Sequence, residues 1–298
     1  MQTLEFYGSC GIIQVFSPGC PGQKERMTVE NRTTMEDTLF LPVMGRIYAS
    51  ENFPNILTDE AAVKLKSKLP DHLKNQNLQN QYGALTGAVR SAAFDRYIKD
   101  FLRRHPEGVI AQLGCGLETT YQRCDNGTAT WYEVDFPDTI RLRQSVLRDQ
   151  LREHYFPGNP FALDWLKEIR QKDQKVPVLV TAGGLLHYFE QEKILNLLKK
   201  IQAYGHIEIL FDAMNEEGIR RMAGYMQQPG TEKKEKAAET DYFHVDHSAA
   251  LAKQLHAKVM LDELYFSQVD LGKLGFLARS AMKKSDKHRL MKIIALKL

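Results

Sequence analysis

Residues 109–135 read VIAQLGCGLETTYQRCDNGTATWYEVD, the pattern of a nucleotide-binding βαβ unit. An apolar run typical of a buried parallel strand leads into a glycine-rich turn, a short helix and a second strand. Gly114 and Gly116 leave the turn without side chains, so a ligand that crosses the strand ends can approach the backbone there. The stretch therefore predicts a ligand bound at the ends of adjacent parallel strands.

The spacing between Gly116 and Asp135 narrows the choice of ligand. Asp135 follows Gly116 by nineteen residues and ends the predicted second strand, where a carboxylate can accept hydrogen bonds from a ribose diol. A dinucleotide fingerprint would place a third glycine at position 119, where this chain has Thr119. The pattern therefore favours S-adenosylmethionine over NAD.

The composition is that of an ordinary globular protein. The chain has 298 residues, of which 43% are hydrophobic and 26% charged, enough for one large α/β domain or two small ones. The 40 basic and 37 acidic residues leave a formal net charge of +3, which indicates neither nucleic acid nor an anionic membrane as a partner. No apolar run approaches the ~20 residues of a membrane span and no signal pattern is present, so we expect a cytoplasmic protein.

Neither the cysteines nor the histidines indicate a disulfide or a metal site. The four cysteines form no CxxC pair, so free thiols are expected, and Cys115 is interpreted as a small residue packed beneath the ligand. His244, Asp246 and His247 form an H-x-D-H cluster, but no further ligand set accompanies them. We predict that Asp246 caps the following helix and that the protein holds no metal.

The rest of the chain divides into three predicted regions. Residues 1–26 show no helical or strand period and predict a loosely structured arm. Residues 27–86 predict a helical cap, interrupted at Pro42 and Pro54. Residues 87–298 alternate strand and helix patterns, which predicts one ligand-binding domain with a parallel sheet and right-handed crossovers.

Apolar runs indicate the later strands of this domain. FALDWLKEI predicts a short third strand that ends near Asp164, and VPVLVTAGG predicts a fourth that ends at Gly183 and Gly184. The remaining strands are predicted in HIEILFDAM, VMLDELYFSQV and KIIALKL. Before the last of these, the basic segment KKSDKHRLMK is predicted to be a solvated connection.

Several segments together resemble the S-adenosylmethionine-dependent O-methyltransferases grouped with the leucine carboxyl methyltransferases and the tetracenomycin-type polyketide O-methyltransferases. The resemblance runs from about Thr38 to the C-terminus, through TLFLPVMGRIYASENFPNILTDEAAV, VRSAAFD, LGCGLETT, YEVDFP, AGGLLHYF and ILFDA. It implies an α/β fold with the seven-stranded, mostly parallel sheet of a class I (Rossmann-like) methyltransferase. It also implies flanking helices, an antiparallel last strand, a helical N-terminal cap, and S-adenosylhomocysteine as the product of the cofactor.

The resemblance also implies roles for individual residues. Arg90 matches the arginine that holds the methionine carboxylate, which a guanidinium can bind bidentately. Gly114 and Gly116 match the cofactor turn, and Asp135 matches the acid that binds the ribose. Glu133 lies on the same strand face as Asp135 and is a second candidate for that role, with a carboxylate at the rim of the site as the alternative.

Three further cofactor residues follow from the resemblance. Asp164 is matched to the acid that recognises the adenine amino group, and Arg46 resembles a basic cap residue near the cofactor. Gly183 departs from the family pattern, because many relatives have a glutamate there, as in AEGLL, whereas this chain has AGGLL. A carboxylate of the site is therefore missing at position 183.

Methyl transfer from a sulfonium is an in-line displacement that mainly requires alignment of the acceptor oxygen, the methyl group and the sulfur. A carboxylate acceptor needs no base, whereas a phenol or alcohol benefits from one. His187 is the candidate base and Tyr188 the positioning group, the alternative being a buried histidine bonded to backbone.

The resulting hypothesis is an O-methyltransferase that acts on a hydroxyl or carboxyl oxygen of a small molecule, with no nucleic-acid or membrane partner and an open oligomeric state. The alternatives are a protein C-terminal leucine carboxyl methyltransferase and a cofactor-binding protein that lost turnover with the change at Gly183. Thr119 disfavours a third alternative, an NAD-dependent oxidoreductase.

Overall fold

A seven-stranded sheet forms the centre of the protein, whose computed structural model describes residues 35–74, 81–148, 150–226 and 241–298. The arm predicted for residues 1–26 lies outside these ranges. The strands are β1 (Val109–Leu113), β2 (Thr130–Asp135), β3 (Glu153–Pro157), β4 (Val178–Ala182), β5 (Ile207–Met214), β6 (Lys258–Leu264) and β7 (Met291–Lys297).

The strands follow the spatial order β3-β2-β1-β4-β5-β7-β6. Neighbours from β3 to β5 are parallel, whereas β7 runs antiparallel to both β5 and β6. After β1 the chain adds β2 and β3 on one side of the sheet, and from β4 onward it adds strands on the other side. The carboxyl ends of β1 and β4 therefore flank the crevice where α/β sheets bind ligands. The predicted seven-stranded, mostly parallel sheet with an antiparallel last strand is confirmed.

Helices precede the sheet and connect its strands. In chain order they are α1 (Met35–Asn52), α2 (Glu60–Leu65), α3 (Asp71–Lys74), α4 (Gln81–Arg104), α5 (Thr120–Cys124), α6 (Pro137–Val146), α7 (Asp164–Lys172), α8 (Gln191–Gln202), α9 (Glu216–Met226), α10 (Ser248–Gln254) and α11 (Phe276–Lys287).

The core lies on both faces of the sheet because side chains of a strand alternate between them. In β1, Val109 and Ala111 belong to a cluster that includes Trp165 of α7, whereas Ile110 belongs to a second cluster with Phe101 of α4. All five residues of β1 are buried, as expected for a central parallel strand.

The described part of the cap begins with α1, which packs against α4. Pro42 lies inside α1 without ending it, so the predicted interruption there is wrong. The helix ends only at Asn52. Asp59 is the N-cap of α2, and its carboxylate accepts a hydrogen bond from the Ala62 N–H at 2.8 Å. This N-cap orders the segment that faces the glycine-rich turn.

The predictions of the third strand and of the residue that caps α10 are wrong. The third strand is Glu153–Pro157, and Asp164 begins α7 instead of ending a strand. Trp165 and Ile169 lie on the buried side of that helix, and so short an apolar run fits a buried helix as well as a strand. Asp246 does not cap α10; its carboxylate accepts a hydrogen bond from the Glu216 N–H at the start of α9.

The basic segment before β7 also differs from its prediction. Its first half, Lys283 to Lys287, is helical, because α11 extends to Lys287, and its last two residues, Met291 and Lys292, begin β7. Ala278, Met282 and Ser285 recur at helical spacing and are buried on one side of α11. Lys283, Lys284 and Lys287 therefore lie on the exposed side of a packed helix, whereas Lys292 is buried in β7.

Candidate cofactor site

The turn after β1 has the backbone geometry that its glycines predicted. Gly114 and Gly116 have φ values of +63° and +47°, in the left-handed region that favours glycine. The Gly116 N–H donates a hydrogen bond to Asp135 Oδ2 at 2.9 Å, and the Phe136 N–H donates to Asp135 Oδ1 at 2.7 Å. The turn and the acid at the end of β2 are therefore in direct contact.

The cavity beside this turn lies between the cap and the sheet and has a volume of about 50 Å³. It is lined by side chains of α1 and α4, by the glycine-rich turn and by the carboxyl end of β4. Five of the predicted cofactor residues line it: Arg46, Arg90, Gly114, Gly116 and Gly183. Residues that are far apart in the sequence thus meet at the predicted crevice.

Arg90 is held by a carboxylate that the sequence analysis did not identify. Its Nη1 lies 3.3 Å from Oδ2 of Asp212, a buried residue of β5. Asp212 Oδ1 also accepts a hydrogen bond from the Gly184 N–H at 2.6 Å. An acid inside the apolar run ILFDAM was the available signal, because a charged residue in a buried strand requires a partner.

The two glycines after β4 provide the space for the Arg90 side chain. Gly184 has a φ of +67°, and a Cβ there would clash with Arg90 Nη1. A Cβ on Gly183 would lie 3.2 Å from the Phe94 ring and 3.4 Å from Arg90 Nε. A larger side chain at position 183 would therefore compete with Arg90 and Phe94 for the same space.

Arg90 and the glycine-rich turn, both predicted to contact the cofactor, thus line the same cavity. A matching family model, leucine carboxyl methyltransferase, covers residues 39–202, which is more than half of the chain. The chain belongs to the leucine carboxyl methyltransferase family. It is therefore a methyltransferase, and its cofactor is S-adenosylmethionine.

Individual relatives of this methyltransferase are more distant. The tetracenomycin polyketide synthesis O-methyltransferase TcmP of Streptomyces glaucescens is 25% identical over 187 residues, which cover 61% of this chain and 67% of the relative. The S-adenosyl-L-methionine-dependent methyltransferase dpfgK of Gibberella zeae is 25% identical over 199 residues, which cover 61% of this chain and 66% of the relative. The chain thus matches these relatives over about two thirds of their lengths.

A solved structure similar to this methyltransferase is that of the plantazolicin methyltransferase BpumL in complex with a triazolic desmethylPZN analog and SAH. The TM-score is 0.45 with 11% sequence identity, and the match covers 88% of this chain and 98% of BpumL.

The residues of the cavity, together with Asp135 in contact with its turn, fit the cofactor of the methyltransferase. Arg90 offers a cation for the methionine carboxylate, and the turn at Gly114 and Gly116 exposes backbone that no side chain covers. Each Asp135 side-chain oxygen accepts a backbone N–H, and a carboxylate at the end of β2 can also accept hydrogen bonds from a ribose diol. Burial raises the pKa of Asp135, and the N–H donors of Gly116 and Phe136 oppose that rise.

Glu133 is fully buried and contacts the cavity through a neighbour. Its Oε1 accepts a hydrogen bond at 2.5 Å from Gln112 Nε2, and Gln112 lines the cavity. Its Oε2 has no hydrogen-bond partner among the described residues. Burial raises the pKa of Glu133 to about 7, although the cation of Arg143 opposes the rise.

Arg143 of α6 supports the glycine-rich turn from inside the protein and was missed in the sequence analysis. Its side chain is fully buried, and Nη1 donates to the carbonyl oxygens of Gly116 at 3.2 Å and Glu118 at 2.6 Å. Nη2 donates to Glu153 Oε1 at 2.7 Å. Arg143 lies three residues after buried Ile140, on the apolar stripe of α6, and this position was the available signal.

A second group of buried charges joins the cap to the same turn. Glu118 lies 3.1 Å from Arg46 Nη1 and 3.0 Å from Arg123 Nη2, and both arginines also contact Asp59, the N-cap of α2. Burial raises the pKa of Glu118, but Arg46 and Arg123 outweigh this effect and hold the pKa well below its usual range. Arg46 of α1 therefore forms ion pairs both with Asp59, the N-cap of α2, and with Glu118 of the turn.

Asp164 lies outside the cavity of the methyltransferase. It is exposed at the first position of α7 and forms an ion pair with Lys167 at 2.8 Å. The residues that directly follow β3 are Gly158, whose N–H donates to the Asp135 carbonyl at 2.9 Å, and Asn159. The adenine contact of Asp164 stays a prediction, and Asn159 is a second polar residue on this edge of the sheet.

His187 and Tyr188 lie in a short 3₁₀ turn directly after β4. The two rings are in contact, with centroids 4.3 Å apart. His187 is buried, and its Nδ1 has no hydrogen-bond partner among the described residues. Burial lowers the pKa of His187 below its usual 6.5. The Asp212 carboxylate opposes this lowering of the pKa, and the Arg90 cation adds to it. The imidazole is therefore neutral at pH 7.

The described residues also bear on the thiols, on metal binding and on membrane spans. Cys115 and Cys124 are free and buried, and burial raises the pKa of the Cys115 thiol, consistent with a packing role. Within the described ranges, no group of three or more His, Cys, Asp or Glu residues is arranged to hold a metal ion. In the same ranges, no helix has the length and apolar character needed to cross a membrane.

Proposed function

We propose that this methyltransferase transfers the methyl group of S-adenosylmethionine to a hydroxyl or carboxyl oxygen of a small molecule. The observation that carries the proposal is a buried, neutral imidazole, that of His187, directly after β4 and electrostatically coupled to the Arg90–Asp212 pair. A neutral histidine whose Nδ1 finds no hydrogen-bond partner in the described part of the chain is suited to receive the proton of a hydroxyl acceptor. The similarity to TcmP, a tetracenomycin polyketide synthesis O-methyltransferase, supports a small-molecule acceptor.

In the proposed complex, Arg90 holds the methionine carboxylate and Asp135 holds the ribose hydroxyls. The turn at Gly114 and Gly116 lies along the cofactor, and Gly183 leaves room for Arg90. The exposed end of the site near β3 faces the adenine, where Asp164 or Asn159 is the candidate polar contact.

Arg46 and Glu133 act through their neighbours in this proposal. Arg46 positions the turn through the Leu117 carbonyl, at 2.8 Å, and through Glu118. Glu133 orients Gln112, which lines the cavity. Both side chains are buried, so the cost of removing either is expected to appear in the stability of the site as well as in cofactor affinity.

When bound, the cofactor supplies a methyl group that is already activated as a sulfonium. Arg90, Asp135 and the turn at Gly114 and Gly116 would hold the cofactor, and the site would align the acceptor oxygen for an in-line displacement on that methyl group. With a hydroxyl acceptor, His187 takes the proton and Tyr188 positions the oxygen. With a carboxylate acceptor, no proton has to be removed.

Calorimetry with S-adenosylhomocysteine tests the cofactor site. We expect Arg90→Met to lose most of the affinity, whereas Arg96→Met on the same helix retains it, because Arg96 pairs with Glu263 at the surface. If the native protein binds no S-adenosylhomocysteine, the proposed complex is wrong.

Methyl transfer from labelled S-adenosylmethionine tests the acceptor class. The protein is incubated with a panel of phenols and aromatic carboxylic acids, and in parallel with a protein phosphatase catalytic subunit that ends in leucine. Labelling of a small molecule supports the proposal, whereas labelling of the protein alone would establish the carboxyl methyltransferase alternative. Cofactor binding without transfer to any acceptor would favour a protein that binds the cofactor without turnover.

A further inference from the structure

Helix α11 presents two large apolar side chains to solvent. Phe276 and Leu277, its first two residues, are 74% and 69% exposed. The opposite side of the helix already packs on the core through Met282, which is fully buried. Phe276 and Leu277 therefore do not belong to the buried stripe of this helix, and neighbouring apolar residues so exposed indicate an interaction surface.

The same surface carries a concentration of positive charge. Residues 273–289 contain six Lys or Arg and a single acidic residue, Asp286, whereas the entire chain has a net charge of +3. The balanced composition of the chain thus conceals a strongly basic segment. Five of these cations are exposed: Lys273, Lys283, Lys284, Lys287 and Arg289.

Acidic side chains do not neutralise this segment. None of its five exposed cations forms an ion pair within the parts of the chain that the structure describes. Two nearby aspartates are engaged with backbone groups. Asp286 accepts a hydrogen bond from the Phe266 N–H at 3.1 Å, and Asp270 accepts one from the Gly272 N–H at 2.9 Å. Glu217 is paired with Arg221. The positive field of α11 is therefore available to an external anion.

The exposed residues follow the helical period. Lys283 and Lys287 follow Phe276 by seven and eleven residues, so all three lie on one side of the helix. Lys284 follows Leu277 by seven residues and lies beside them in the same way. Apolar residues thus occupy the first turn of this face and lysines the later turns. None of these residues lines the cofactor cavity.

We propose that the exposed face of α11 is a docking surface for an anionic phospholipid bilayer. Phe276 and Leu277 have the character needed to enter the boundary between headgroups and acyl chains, and the lysines are placed to contact anionic headgroups. An acidic protein or a soluble polyanion would satisfy the lysines but would leave the adjacent Phe and Leu without an apolar environment. The two apolar residues therefore favour the bilayer as the partner.

Vesicle co-sedimentation of the full chain tests this surface. Vesicles of phosphatidylcholine alone are compared with vesicles that also contain phosphatidylserine. We expect binding only to the second kind, and weaker binding as NaCl is added, because salt screens exposed charges. Lys283→Glu combined with Lys284→Glu is expected to weaken binding at least about tenfold, since each cation near an anionic surface contributes to the attraction.

The matched control is Lys199→Glu combined with Lys200→Glu, which reverses an adjacent pair of exposed lysines on α8 and is expected to leave binding unchanged. Phe276→Ser combined with Leu277→Ser is expected to weaken binding even at low salt, where electrostatic attraction alone is strongest. Thermal unfolding of each variant checks that it is folded. None of the substituted residues lines the cofactor cavity, so S-adenosylhomocysteine binding is expected to be retained.

Two outcomes would overturn the proposal. One is equal vesicle binding by the α11 and α8 lysine variants, which would show that only the overall charge matters. The other is binding to a soluble polyanion such as polyglutamate, with the same dependence on Lys283 and Lys284 but without vesicle binding. The second result would assign the surface to an acidic macromolecule.

Discussion

Arg90 Nη1 lies 3.3 Å from Asp212 Oδ2, so the helix that borders the cap is connected to β5 by a buried ion pair. The side chains are 14% and 3% exposed, which leaves the arginine accessible from the cavity while its partner is shielded. Many of the methyltransferases that this chain resembles have a glutamate at the position of Gly183. A carboxylate from the neighbouring strand faces Arg90 in this chain.

Asp212→Asn is expected to lower the free energy of unfolding by about 2 kcal/mol, because it leaves the Arg90 charge without its buried partner. The asparagine can still accept the hydrogen bond from the Gly184 N–H, so the change mainly removes charge. Urea denaturation measures the difference. Glu263→Gln is the control, since it breaks the more exposed pair with Arg96 and is expected to cost less than about 1 kcal/mol. Equal losses in the two variants would contradict this prediction.

Arg143→Lys is expected to weaken S-adenosylhomocysteine binding by about tenfold, because a lysine cannot contact the Gly116 and Glu118 carbonyls and Glu153 at once, and misplacing the turn misplaces the ligand. Isothermal calorimetry measures the affinity. Arg141→Lys, two residues earlier on α6, replaces an exposed arginine that pairs with Asp138 and is the matched control. Unchanged affinity in Arg143→Lys would show that the turn is held without this arginine.

The stability of the protein is expected to depend on the pH through Glu133. Its pKa in the folded protein is about 7, above the ordinary 4.5, so the folded state retains a proton that the unfolded state releases. Glu133 therefore contributes stability below pH 4.5, and this contribution decreases as the pH rises from 4.5 to about 7. Glu133→Gln, which stays neutral, is expected to gain stability relative to the native protein over that interval. Urea midpoints at several pH values measure the difference, and parallel profiles would refute the assignment.

His187→Asn is expected to reduce kcat/KM for a phenolic acceptor by about 100-fold or more, since it removes the proposed base. Transfer to a carboxylate acceptor and binding of S-adenosylhomocysteine are expected to change little. Because burial lowers the pKa of His187, the imidazole is mostly neutral at pH 6.5, where an ordinary histidine is half protonated, and activity with the phenol is expected to be retained at that pH. Equal loss with both acceptor classes would instead indicate a structural role.

Much of the fold was predictable because it depends on local patterns. The apolar runs at β1 and β4 and the turn at Gly114 and Gly116 carry their own periodicity and backbone requirement. The strand predicted to end at Asp164 was wrong because a short apolar run has no period that distinguishes a strand from a buried helix. Arg90 entered the predicted site through the resemblance, since one arginine on a long helix carries no local signal.

The sequence alone determined the βαβ unit of residues 109–135 and the place of Asp135 at the end of its second strand, because each depends on residues close in the chain. Only the tertiary structure decided that Asp212 faces Arg90 and that Arg143 supports the turn from α6. These partners are up to 122 residues apart, and buried charges select one another only when packing excludes water from both. The structure likewise showed that the first half of the basic segment before β7 belongs to helix α11, whose exposed face becomes apparent only once its other side is buried.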